Sequence, residues 1–164
     1  MDRNGLALDA AIAGAPGVTP LRRHPMISRQ CSYNFAFNYD NLLYDELDVA
    51  IFRQALSAEL GIAAGGPYEP LNNSPLYFPH RKWKFSWSKE FVQAITPMQW
   101  HLPVAEGIVR NRGVVIGWRV LGCPLARAHL LADAIAKIHE NRKELLSGKQ
   151  TTERLRSADM ACVG

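Results

Sequence analysis

The residues of this chain with the clearest capacity for binding lie in one proline-rich loop, 65–80. The loop holds four prolines and three aromatic residues and has the period of neither a helix nor a strand. Each proline restrains its own φ and the residue before it, so such a loop is stiff and can present side chains to a ligand at little entropic cost. Aromatic faces and side-chain amides recognise hydroxyl-bearing rings. The sequence therefore predicts a binding surface lined by Tyr68, Asn72, Tyr77 and His80.

A second interpretation of the same loop stays open. Its aromatic residues could simply cover the adjoining core, in which case Asn72 would be a turn-forming residue. The variant Asn72→Ala separates the two interpretations. A loss of ligand affinity of about 1–3 kcal/mol at unchanged stability supports binding, whereas a loss of stability at unchanged affinity supports a turn.

Other chemistries find no support in the sequence. The histidines lack metal-ligand spacing, no glycine-rich phosphate loop follows a predicted strand, and no Gly-x-Ser-x-Gly motif occurs. The three cysteines are widely spaced and form no Cys-x-x-Cys pair, which argues against a disulfide framework or a zinc site. We therefore predict no metal site and no catalytic residue in this chain.

The composition is that of one folded, soluble domain, with 164 residues, 48% apolar and 21% charged. The formal charge of +4 comes from scattered basic residues, and only 81–84 form a short cluster, so no nucleic-acid partner is expected. No window of about twenty apolar residues and no signal-peptide core occurs, so no membrane partner is expected either. Together with the cysteine usage, this predicts a cytoplasmic location.

A short, mostly antiparallel sheet is predicted from three segments. Residues 31–39 alternate aromatic side chains with small or polar ones, which is the strongest strand signal of the chain. Residues 62–64 and 114–118 supply two further short strands, and 18–27 is expected as an edge strand or ordered coil. The aromatic face of the first strand is expected to lie against helices, through Tyr33, Phe35, Phe37 and Tyr39.

Two longer helices are predicted to cover this sheet, which makes the fold class α+β. The first is capped by Asp45 or Asp48, runs to about Leu60 and stops at Gly61. The second spans 124–146 and buries a stripe made of Leu130, Leu131, Ala134, Ile135, Ile138 and Leu145. Shorter helices are predicted near 6–12, after Ser88 and from Pro103. We expect one domain over 1–146 and a mobile tail over 147–164.

Several short motifs occur in an order and spacing that are typical of one family. They are Gly-x-x-Pro-Leu at 17–21, the aromatic strand at 31–39, Phe-Arg-x-Ala-Leu-x-Ala-Glu-Leu-Gly at 52–61, Tyr-x-Pro-Leu at 68–71, Pro-Leu-Tyr at 75–77, Leu-Pro-Val-Ala-Glu at 102–106 and Ala-Ile-x-Lys-Ile at 134–138. With them the chain resembles, over roughly 5–146, the C-terminal domain of the DegT/StrS-type sugar aminotransferases of fold type I. The segment 72–80 is most similar to members that aminate cyclitols such as scyllo-inosose with glutamine.

This resemblance implies pyridoxal phosphate as cofactor and the small-domain fold of those enzymes. In the family, the lysine that forms the Schiff base lies in a large N-terminal domain, and none of the six lysines of this chain stands in a similar context. The chain departs from the family pattern around 110–113 and 117–118, and it carries Asn72 where the family often has histidine. The cofactor lysine would therefore have to come from another domain or chain.

Two functions follow as hypotheses. The first is the C-terminal part of a sugar or aminocyclitol aminotransferase, as a truncated chain or one part of a split enzyme, inactive alone. Its partners would be a large aminotransferase domain or subunit, a keto-sugar or keto-cyclitol substrate and further copies in a homo-oligomer. The second is a non-catalytic binding or assembly module that keeps the fold. Because such a domain normally packs against a large domain and a second subunit, the isolated chain is expected to expose an apolar patch including Leu6, Leu8, Ile12 and Trp118 and to self-associate.

Overall fold

A four-stranded antiparallel sheet forms the centre of the protein. The computed structural model describes residues 1–81, 84 and 86–148. Within them the strands are β1 (Val18–Pro20), β2 (Phe35–Tyr39), β3 (Ala64–Gly65) and β4 (Gly113–Ile116), in the spatial order β1-β2-β4-β3. Each neighbouring pair is antiparallel, with Phe37 opposite both Pro20 and Val114. The predicted α+β class is confirmed, and the segment around Val18 is an edge strand.

The aromatic side chains of β2 form the middle of the core. Phe35, Phe37 and Tyr39 are buried, and Tyr39 stacks on Phe52 with ring centroids 4.4 Å apart. The Tyr39 hydroxyl donates to the Leu47 carbonyl at 2.8 Å, which satisfies its buried polar atom. The prediction for Tyr33 is wrong, because pairing begins only at Phe35 and the Tyr33 side chain is 75% exposed.

In the described part of the chain, six α-helices pack around the sheet, besides several short 3₁₀ and π-helical turns. The α-helices are α1 (Asp2–Ile12), α2 (Val49–Leu60), α3 (Lys89–Ala94), α4 (Pro103–Gly107), α5 (His129–Glu140) and a last segment, α6, over 142–148. The predicted caps are observed. Asp48 accepts from the Ala50 amide, Gly61 ends α2 with φ of 64°, and Ser88 accepts from the Phe91 amide.

The predicted helix 124–146 is broken into three pieces. A 3₁₀ turn at Leu125–Arg127 precedes α5, and Asn141 interrupts the helix before α6. Leu130, expected in the buried stripe, is 48% exposed, whereas Leu131, Ala134, Ile135 and Ile138 are buried. Leu145 is partly buried against the same core. The predicted stripe is therefore confirmed except at Leu130, and it lies on α5, which packs against α1 and α2.

The apolar patch expected around α1 is only partly exposed. Leu8 and Ile12 are core residues because α1 packs against α5 and β1, whereas Leu6 and Trp118 are about half exposed. None of the helices in the described part of the chain is both long and apolar enough to cross a membrane. Most of the predicted tail, 149–164, lies outside the described residues, and 147 and 148 belong to α6.

Candidate functional site

The proline-rich loop leaves the sheet at its β3 edge. After Gly65 the chain forms neither helix nor strand until the short 3₁₀ turn Pro79–Arg81, as predicted. Two tight turns shape the loop, with the Asn73 amide donating to the Pro70 carbonyl at 2.9 Å and the Tyr77 amide donating to the Ser74 carbonyl at 3.2 Å. The loop is therefore ordered by local hydrogen bonds as well as by its prolines.

Asn72 joins this loop to the N-terminus of α4. Its Nδ2 donates to the Trp100 carbonyl oxygen at 2.7 Å and to Glu106 Oε1 at 3.1 Å. The same Glu106 oxygen accepts from the Leu102 amide at 3.2 Å, which caps the first turn of α4. We call Asn72, Trp100 and Glu106 the Asn72 latch.

The latch determines which way the Asn72 amide points. Both of its near neighbours are acceptors, so the NH₂ group must face them and Oδ1 must face away. Asn72 is only 6% exposed, and its Oδ1 is buried without a hydrogen-bond partner in the described part of the chain. The hydrogen bonds from the Leu102 amide and from Asn72 lower the pKa of Glu106 below its usual value, because they stabilise the carboxylate.

His80 carries a second buried polar atom without a partner among the described residues, its Nδ1. The imidazole packs edge-on against Phe78 with centroids 6.2 Å apart, and the Arg81 guanidinium lies 4.9 Å from the Phe78 ring centre. An unpartnered buried polar atom costs about 1–3 kcal/mol, so two of them in one loop favour a missing hydrogen-bonding partner.

Tyr68 and Tyr77 have solvent-exposed side chains. Tyr68 is 92% exposed and Tyr77 is 44% exposed, and neither side chain makes a hydrogen bond or a ring contact with the described residues. The structure thus orders Asn72 and His80 within the protein and leaves the two tyrosines free to meet a ligand or a partner. Their binding roles remain predictions.

Large apolar side chains are exposed around the latch. We call this set the latch surface, and its members are Leu71, Met98, Trp100, Leu102 and Val104. Val104 is 77% exposed although it lies one residue after the proline that starts α4. Exposed apolar side chains in such number on neighbouring segments are typical of surfaces that another protein covers.

Sequence reasoning missed three residues of this region, Trp100, Glu106 and Arg53. In the sequence analysis Glu106 and Arg53 occur only as members of the motifs at 102–106 and 52–61. Arg53 in fact donates from Nε to the Gly113 carbonyl at 3.0 Å and from Nη2 to the Val109 carbonyl at 2.9 Å. The pair Gly65-Gly66 before a proline was the available signal, since adjacent glycines often mark a close backbone approach.

The described residues do not form a pyridoxal phosphate site. Lys137 is paired with Glu59 at 2.8 Å on the surface, and its side chain is 61% exposed. Lys89 and Lys143 are exposed as well. A lysine that bonds to the cofactor must be desolvated and aimed at it, and none of these is. No cluster of three or more metal-ligating side chains occurs in the described ranges either.

The latch changes the outcome that the sequence alone predicts for Asn72→Ala. The variant should lower the free energy of unfolding by about 1–3 kcal/mol whether or not Asn72 binds a ligand, because the Trp100 carbonyl loses a buried donor, so ligand affinity alone separates the two interpretations. The pKa of Glu106 should rise toward its usual value, since the variant removes one of the hydrogen bonds that favour the carboxylate. Urea unfolding and an NMR titration of Glu106 measure the two effects. Asn73→Ala is the matched control, because Asn73 is exposed and engages only its backbone amide; equal behaviour of both variants would contradict the latch.

The fold is a small α+β domain with one ordered proline-rich loop. No protein-family model matches the chain. Over 87% of its length, however, it is 29% identical to an L-glutamine:2-deoxy-scyllo-inosose aminotransferase of Streptoalloteichus tenebrarius. It is 28% identical to the enzyme of that name from Streptomyces kanamyceticus and 26% identical to the L-glutamine:scyllo-inosose aminotransferase of Streptomyces griseus.

The chain spans about a third of the length of these curated relatives, 33% of the first. A crystal structure of 3-amino-5-hydroxybenzoic acid synthase matches 83% of this chain with a TM-score of 0.55 and 18% identity, and this chain covers 32% of it. That match shows the fold. The resemblance to the C-terminal domain of the DegT/StrS-type aminotransferases is therefore confirmed.

Proposed function

We propose that this chain is the small domain of an aminotransferase that aminates a keto-cyclitol or a related keto-sugar, and that it acts only together with a large domain. The observation that carries the proposal is the similarity over 87% of the chain to one third of enzymes named for this reaction. The described residues offer no lysine for the cofactor, so the pyridoxal phosphate chemistry would come from the partner. This chain would bind and orient the substrate.

The loop supplies the binding groups in this proposal. Asn72 Oδ1 would accept a hydrogen bond from a ring hydroxyl, because its amide nitrogen is already engaged by the latch. His80 Nδ1 offers a second buried position for a hydrogen bond. The exposed faces of Tyr68 and Tyr77 could pack on the apolar side of the ring. The loop would thereby recognise hydroxyl positions and take no part in bond breaking.

The latch surface would be covered by the large domain or by a second subunit. Trp100 and Val104 are each more than half exposed, and they flank the latch that orders the candidate binding residue. A partner that covers them would also exclude water from Asn72. In such a site, a hydrogen bond between the Asn72 carbonyl and the substrate is strengthened by the low local dielectric.

Reconstitution tests the proposal. The large-domain part of the Streptoalloteichus tenebrarius relative is expressed as a separate chain and mixed with this chain. Glutamine-dependent amination of 2-deoxy-scyllo-inosose is then followed with each component alone and with both. We expect product only in the mixture, because each component holds part of the composite site.

The relative's own C-terminal third, supplied as a separate chain, is the positive control. Product with that control but not with this chain would contradict the proposal and favour a non-catalytic binding or assembly module. Product from this chain alone would contradict the assignment of the cofactor lysine to a partner.

A further inference from the structure

Arg53 lies on α2, outside the loop, yet it contacts the first residue of the loop and the segment between α4 and β4. Its guanidinium reaches the carbonyls of Val109 and Gly113, with a second, short hydrogen bond from Nη2 to Gly113. Val109 belongs to a single π-helical turn, Ile108–Arg112, between α4 and β4. Carbonyls at the end of a helical turn have no partner within the turn, and Arg53 satisfies them.

Gly66, the first residue of the loop after β3, lies directly on the guanidinium. A Cβ atom at position 66 would come within 2.8 Å of Arg53 Nη1 and 2.9 Å of Cζ. Gly113 is equally close to the next loop residue, because a Cβ there would lie 2.6 Å from Pro67 Cγ. Only glycine allows this approach at either position.

Three separate segments therefore meet at Arg53: helix α2, the start of the loop at Gly66-Pro67, and the junction of the π-turn with β4. We call this contact the Arg53 clamp. Among the described residues, the guanidinium donates to the neutral carbonyls of Val109 and Gly113, and burial lowers the pKa of Arg53 because the charged form loses hydration. A guanidinium held in this way fixes the relative positions of the segments that it contacts, because its planar donors can bond two carbonyls at once.

We propose that Arg53 is a positioning residue that holds Asn72 in place from a distance. The clamp joins the loop to the 108–113 segment at Gly66, and the Asn72 latch joins the same loop to 100–106 six residues later. The loop and the α4 region are thus fixed to each other at two points. Opening the clamp removes one of these two attachments. The loop can then move relative to α4, and the Asn72 side chain no longer stays within hydrogen-bonding distance of Trp100 and Glu106. Its relevance to substrate binding rests on the proposed function.

Two variants open the clamp from opposite sides. Arg53→Met removes the donors, and Gly66→Ala pushes the guanidinium away from its carbonyls. Residue-level hydrogen exchange by NMR on the full chain reports the result. We expect the amides of Asn73, Ser74 and Tyr77 to exchange at least about tenfold faster in both variants, because local opening becomes easier. The amides of β2 and α5 should stay within about twofold.

A second readout follows Asn72 itself. In both variants the pKa of Glu106 should rise toward its usual value, since the Asn72 hydrogen bond that lowers it is weakened. Gly65→Ala is the matched control, because a Cβ atom there meets nothing within 4 Å. It should leave both the exchange rates and the Glu106 titration as in the wild type.

The double variant, Arg53→Met with Gly66→Ala, tests whether both single variants act by opening the same contact. Once Arg53 is methionine, the clash at position 66 is gone, so adding Gly66→Ala should change the loop exchange rates by less than about twofold. Additive effects would overturn the inference, and so would faster exchange throughout the fold or an unchanged Glu106 titration. The exchange experiment needs no partner and no substrate. Its result is therefore independent of whether the reconstitution assay yields product.

Discussion

Replacing Ile138 with aspartate is expected to remove most of the stability of this protein. Ile138 is 3% exposed and lies on the buried face of α5, the helix that packs against both α1 and α2. The variant loses the burial of an aliphatic side chain and places a carboxylate where the core offers no partner. The cost should be about 4 kcal/mol or more, against a total of about 5–15 kcal/mol for a typical domain. Urea unfolding followed by circular dichroism measures it.

Leu130→Asp on the same helix is the matched control. Leu130 is 48% exposed, so the same kind of substitution should change the free energy of unfolding by less than about 0.5 kcal/mol. Equal unfolding midpoints for wild type and Ile138→Asp would show that the face of α5 carrying Ile138 is a partner surface and not core.

The second large effect is expected for Gly17→Ala. Gly17 has φ of 63°, and a Cβ atom there would overlap the ring of Tyr44, lying 2.9 Å from its Cδ2. The ring cannot move aside easily, because its hydroxyl donates to the Pro16 carbonyl at 2.9 Å and its face packs against His139. We expect a loss of about 2–4 kcal/mol, the sum of a left-handed backbone cost and overpacking.

Gly61→Ala separates these two contributions. Gly61 has nearly the same φ, 64°, but a Cβ atom there meets nothing within 4 Å. Its variant should lose only about 1 kcal/mol, which is the backbone cost alone. If both variants lost the same amount in thermal or urea unfolding, the predicted clash with Tyr44 would be refuted.

Local patterns in the sequence were sufficient for the main elements of the fold. The alternation at 35–39, the Asp48 and Ser88 caps and the stop at Gly61 each depend on residues within one or two turns of each other. A strand face or a helix cap is decided by such neighbours, so it can be predicted without the tertiary structure. The proline-rich loop was recognisable for the same reason, since its composition excludes both regular structures.

The exposure of individual side chains was less predictable. Tyr33 continues the aromatic alternation of its strand, yet it is exposed because the partner strand ends before reaching it. Leu130 fits a helical stripe, yet it lies in the first turn of α5 at the margin of the buried face, which is formed by Leu131, Ala134, Ile135 and Ile138. In both cases the periodicity was present, and the position of a neighbouring element determined which residues it buried.

Local patterns were enough to predict the class of fold, the order of its elements, the proline-rich loop and the family that the chain resembles. The contacts of the loop residues could be read only from the packed structure. Asn72 meets a carbonyl 28 residues away and Arg53 meets one 60 residues away. Neither contact can be recognised from the residues that neighbour it in the sequence, because it depends on how α2, the sheet edge and α4 pack together. Hydrogen bonds between distant segments follow from the three-dimensional arrangement of those elements, and not from the spacing of the residues along the chain.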